Sequence, residues 1–132
     1  MADGVIPLGK IVYVCDEIER NPTSGNITVI GSFTSIRMES GATYPLYRDK
    51  ICVFAQLTGG YGPATIQAKV VDASTGEEVF TSRLYALRLP GGNIYVTVLL
   101  RLLHCPFPHA GVYFVQLFCR DVFIDDRRLI VS

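Results

Sequence analysis

Ala64-Thr65-Ile66-Gln67-Ala68-Lys69-Val70-Val71, followed at once by Asp72-Ala73-Ser74-Thr75-Gly76, decides the fold. Ile66, Ala68 and Val70 alternate with Gln67 and Lys69. Successive side chains of a strand point to opposite faces, so this run buries one face and wets the other. The segment after it offers side-chain acceptors and a glycine, which suits a hairpin turn.

Similar runs lie on both sides. Upstream, strands are predicted over Lys10–Ile18, Asn26–Arg37 and Lys50–Thr58, the last with Ile51, Val53, Ala55 and Leu57 on one face. Downstream they are predicted over Glu78–Leu89, Asn93–Leu103, Gly111–Cys119 and Val122–Val131. Turn residues separate them: Pro22 and Gly25, Gly59-Gly60-Tyr61-Gly62-Pro63, Pro90-Gly91-Gly92, the proline-rich His104–Ala110 and the tight Arg120-Asp121. A longer connection runs from Met38 to Asp49. About eight short antiparallel strands cannot cover their apolar faces as one open sheet, so the expected fold is an all-β sandwich. Tyr113, just after a turn, suggests the tyrosine corner of an immunoglobulin-like sandwich; a C2-like arrangement is the other form expected.

The length of 132 residues fits one domain, read as residues 10–132 after an N-terminal extension of residues 1–9. Hydrophobic residues make up 49% and charged residues 18%, which excludes a disordered chain. Twelve basic residues balance twelve acidic ones, so the phosphate-neutralising surface of a nucleic-acid binder is not expected, nor a polybasic membrane anchor. No run reaches the roughly 18 apolar residues of a membrane helix, and the N-terminus does not read as a signal peptide. A cytoplasmic protein is expected. In that compartment Cys15, Cys52, Cys105 and Cys119 are expected to be free thiols.

Three stretches carry a resemblance. They are Val12–Ile18 with Thr23–Phe33, the Val70–Glu77 hairpin, and Gly111–Val115 with Arg120-Asp121 and Leu129–Val131. Together they resemble an uncharacterised bacterial family of small stand-alone β-sandwich proteins, over roughly Lys10 to Val131. The resemblance implies the fold and a bacterial cytoplasm. It implies no catalytic or binding residue.

Chemistry-bearing residues are sparse. Both histidines lie in His104-Cys105-Pro106-Phe107-Pro108-His109. His104, Cys105 and His109 are a weak candidate metal set, since adjacent ligands on a proline-stiffened loop converge poorly on a tetrahedral ion. No cofactor is expected. Asp16-Glu17 and Asp125-Asp126 are followed by Arg20, Arg127 and Arg128 and read as paired charges on a solvated edge rather than a calcium cage. Gly59–Gly62 precedes no helix, so it is a connector rather than a phosphate loop.

The late strands carry apolar residues on both faces. If Tyr113, Val115, Leu117 and Cys119 point inward, Val112, Phe114 and Phe118 point outward, beside Tyr95, Leu99 and Leu103 of the preceding strand. Either the Met38–Asp49 connection, with Tyr44, Leu46 and Tyr47, covers this strip, or the strip is a protein interface. The expectation is a non-enzymatic module that self-associates as a homodimer or binds another protein. A small-ligand or carbohydrate-binding domain is the second reading, and a metal-dependent enzyme the third.

Overall fold

The computed structural model describes residues 4–132. None of them is helical, and among them no helix is long and apolar enough to cross a membrane. The strands are β1 (Leu8–Arg20), β2 (Ile27–Ser32), β3 (Ser35–Ile36), β4 (Leu46–Thr58), β5 (Tyr61–Asp72), β6 (Glu78–Thr81), β7 (Tyr85–Pro90), β8 (Val96–Phe107), β9 (Gly111–Cys119) and β10 (Val122–Val131). One sheet has the order β2-β1-β4-β8. The other has the order β3-β10-β9-β5, with both β6 and β7 paired to β5. All pairings are antiparallel except the short one between β3 and β10.

The alternation read from the sequence decides what is inside. Ile51, Val53, Ala55 and Leu57 of β4 face Ile66, Ala68 and Val70 of β5 and Tyr113, Val115, Leu117 and Cys119 of β9 in one core. All eleven are buried. Layers of this kind hold together because each sheet removes the other's apolar face from water.

The chain crosses between the sheets at glycine-dependent corners. Gly59, with φ of 79°, and Gly60 join β4 to β5. A Cβ at Gly60 would lie 2.7 Å from Leu89 Cδ1 and 2.8 Å from Pro7, so no side chain fits there. Val5 bridges to Tyr61, which draws the segment before β1 into the same corner.

Ten strands replace the expected eight because two of the expected strands divide. The Asn26–Arg37 strand leaves the first sheet after Ser32, and Ser35–Ile36 joins the second sheet beside Ile130–Val131. The Glu78–Leu89 strand breaks at Ser82. There Ser82 donates its N–H to Ala68 O at 2.8 Å, and its hydroxyl accepts the Ala68 N–H at 2.9 Å, so both halves stay on β5. Boundaries also move: β4 starts at Leu46, inside the expected Met38–Asp49 connection, and β5 at Tyr61, inside the expected Gly59–Pro63 loop. Ile94 and Tyr95 precede β8, and residues 104–107, expected as loop, complete it. Pro106 falls on an edge strand, the place in a sheet where proline is found because one side has no neighbouring strand. His104 adopts a left-handed φ of 57°, and the burial phase changes around it: Leu100 and Leu102 are buried before it, Cys105 and Phe107 after it.

Candidate interaction surface

β9 lies inside the second sheet and turns Val112, Phe114, Gln116 and Phe118 away from the core. The register surrounds them. Ile130 opposes Val112, Arg128 and Val71 flank Phe114, Asp126 and Lys69 flank Gln116, and Phe123 and Gln67 flank Phe118. Phe118 and Phe123 meet edge to face at 5.9 Å. The Lys69 ammonium sits 4.7 Å above the Phe118 ring and 2.9 Å from Glu78. That ion pair holds the Glu78 carboxyl below its ordinary range. Val112, Phe123 and Ile130 are 37%, 49% and 38% exposed, so the outward face is wet yet largely apolar along β9.

Leu99 and Leu103 are elsewhere. β8 belongs to the first sheet and β9 to the second, with a crossing at residues 108–110 between them. The six residues Tyr95, Leu99, Leu103, Val112, Phe114 and Phe118 therefore do not form one strip. Tyr95 is exposed ahead of β8, while Leu99 and Leu103 lie on the outer face of the first sheet. Period-two alternation separates inside from outside but does not say which sheet a strand joins. The Met38–Asp49 connection covers neither face: Tyr44 and Leu46 pack on the main core, and Tyr47 stacks on His104 at 4.6 Å.

The outer face of the first sheet carries a small buried cluster that sequence reasoning missed. Tyr13, Phe54 and Leu99 form one row across β1, β4 and β8, and Cys15, Cys52 and Arg101 form the next. Cys15, Cys52, Ile18 and Phe54 are buried there, with Ile11, Ile27, Val29 and Leu99 around them. Beside the cysteines, Glu17 is ion-paired to Lys50 and lies 3.5 Å from Arg101. The Lys50 hydrogen bond, with a backbone N–H from Ile18, draws the Glu17 carboxyl down to about 2. Asp16 pairs with Arg48 at 2.9 Å. The acidic run is thus neutralised by β4 and β8 rather than by the neighbouring Arg20.

His104, Cys105 and His109 diverge. Cys105 is buried in the main core, which pushes its thiol up to about 12, and His104 lies against Tyr47. His109 Nε2 meets Asp72 Oδ2 at 2.6 Å and its Nδ1 meets Ala110 O at 2.7 Å. Among the described residues no three metal-ligating side chains converge. Asp72 is 3% exposed, and its other oxygen accepts both the N–H and the hydroxyl of Ser74. Those bonds, and then His109, hold the Asp72 carboxyl low, while Ala110 O and then Asp72 raise the His109 imidazole. A carbonyl and a carboxylate only accept, so the doubly protonated ring satisfies both contacts. An imidazole held this way offers no lone pair to a substrate.

These features define a two-sheet, all-β sandwich with apolar residues on the outward face of each sheet. The chain belongs to a family of unknown function, DUF6941, whose model matches residues 10–132. No curated protein matches the chain.

Proposed function

We propose that this protein is a non-enzymatic interaction module that self-associates through the outer face of β5, β9 and β10. The observation that carries this reading is the β9 strip, with Val112, Phe114 and Phe118 outward and Ile130 and Phe123 beside them. Burial of such a face contributes about 25 cal/mol per Å² before the costs of association.

A second copy is the favoured occupant because the charges flanking the strip complement themselves. Asp126 and Lys69 stand on opposite sides of Gln116, one strand to either side of β9. A two-fold axis along β9 brings Asp126 of one copy over Lys69 of the other and stacks the phenylalanine rows. An isologous interface needs self-complementarity of this kind.

The reading places the module in a bacterial cytoplasm, where its four free cysteines suit a reducing compartment. The Tyr113 hydroxyl, which donates to His109 O at 2.7 Å, supports kinship with immunoglobulin-like sandwiches. The non-enzymatic part is supported by His109, whose two ring nitrogens are both engaged, and by the burial of Cys105. Light scattering of the wild type and of Phe114→Glu tests the proposal: a folded monomer is expected of the variant.

A further inference from the structure

We propose that Cys15 and Cys52 are an oxidation site, closed by a hydroperoxide into a cross-strand disulfide between β1 and β4. The two residues are direct partners in the antiparallel register, and both are buried in the small cluster on the outer face of the first sheet. Directly opposed residues of an antiparallel pair have Cα atoms about 4.5 or 5.5 Å apart. Both separations lie inside the range of about 4.4–6.8 Å that a disulfide spans, so closure needs rotation at Cβ rather than strand movement.

The surroundings favour that rotation. The Cys15 sulfur lies 3.7 Å from Cys52 O, which places it over its partner's backbone. The Cys52 sulfur lies 3.6 Å from Asp16 O and 3.9 Å from Glu17 Oε1. Glu17 is in turn held by Lys50 and Arg101, whose side chains are partly exposed. Cys52 is therefore separated from solvent on that side by a surface ion network, whose side chains rotate far faster than strands separate. Cys105 and Cys119 are internal controls. Cys105 opposes Arg48, and Cys119 opposes Ile66 and Val122, so neither has a cysteine across from it.

The chemistry balances with one hydroperoxide. The Cys52 thiolate attacks the peroxide; an S–O bond forms, the O–O bond breaks, and the departing oxygen takes up the thiol proton. With hydrogen peroxide this yields water and a sulfenic acid. The Cys15 sulfur then attacks the Cys52 sulfur; the S–S bond forms, the S–O bond breaks, and hydroxide leaves with the Cys15 proton as a second water. Burial, and then the Glu17 carboxylate, raise the Cys52 thiol, and burial pushes the Cys15 thiol up to about 11, so both steps are expected to quicken as the medium becomes more alkaline.

The test treats the folded full chain with hydrogen peroxide, then unfolds it, alkylates the remaining thiols and maps the peptides by mass. The expected result is a peptide pair joined through Cys15 and Cys52, two hydrogen atoms lighter than the free pair, with Cys105 and Cys119 still alkylated. Dithiothreitol should return all four thiols. Cys52→Ser, checked for native circular dichroism, should give no joined pair. Four alkylated cysteines after treatment, sulfinic acid without a cross-link, or a pair joined through Cys105 or Cys119 would each overturn the proposal in the wild type, whatever the variant does.

Discussion

The imidazole of His109 and the carboxylate of Asp72 meet at 2.6 Å and clamp the β8–β9 crossing to the end of β5. His109 is raised above its ordinary value of 6.5. Its stabilising contribution is therefore complete below that value and is lost as pH rises through the raised folded one. Asp72 is lowered below its ordinary value of 3.8, so its contribution is complete above that value and is lost as pH falls through the lowered folded one. The clamp is strongest between the two. Urea unfolding of wild type and His109→Gln should differ most near pH 5.5, an approximate choice below the histidine range, and the difference should shrink as pH rises through the raised folded value. A difference that stays constant over that rise would remove the charged clamp.

Tyr113 closes the same corner from beneath. Its ring is fully buried against Phe107 at 5.0 Å, and its hydroxyl donates to His109 O. Tyr113→Phe keeps the ring and leaves that carbonyl without its donor. The expected loss is about 1–2 kcal/mol in denaturant unfolding, with an unchanged m-value. A loss below a few tenths would mean that water replaces the hydroxyl.

Arg120 and Asp121 turn β9 into β10 with φ of 51° and 66°, the signature of a two-residue primed turn. Arg120 is anchored, since its N–H reaches Thr65 O and its guanidinium reaches Pro63 O. At Asp121 the left-handed backbone favours glycine. Asp121→Gly should raise stability by about 0.5–1 kcal/mol, read as a higher denaturation midpoint. A lower midpoint would show that the aspartate side chain supports the turn.

Much of the core was legible and much of the surface was not. Ile66, Ala68 and Val70, and likewise Ile51, Val53, Ala55 and Leu57, alternate strictly, and every one is buried. Cys105 and Phe107 read as loop because two prolines flank Phe107, and nothing local marks the left-handed turn at His104 that sets them inward. The separation of Leu99 and Leu103 from Val112, Phe114 and Phe118 depends on which sheet each strand joins. That is settled by long-range pairing, β8 with β4 and β9 with β5 and β10. The Cys15–Cys52 apposition has the same origin, since register across 37 positions leaves no trace in either local run. The clamp had one visible signal: Asp72 opens a turn, and His109 precedes the strand that pairs with Asp72 through Tyr113.

Charge at the flanks should tune self-association without touching the fold. Asp126 sits half-buried on the outward face, and burial raises its carboxyl above the ordinary range. Asp126→Lys sets two ammonium groups against each other across the proposed two-fold axis. The expected effect is a weakening of about tenfold or more in the dimer dissociation constant, with unchanged circular dichroism. Unchanged affinity would place the interface elsewhere.

Solution mass by size-exclusion chromatography with light scattering, over a wide range of protein concentration, tests the central claim most directly. The account predicts a concentration-dependent dimer for the wild type and a folded monomer for Phe114→Glu at every concentration. A wild type that stays monomeric throughout, or a Phe114→Glu variant that dimerises as the wild type does, would contradict it.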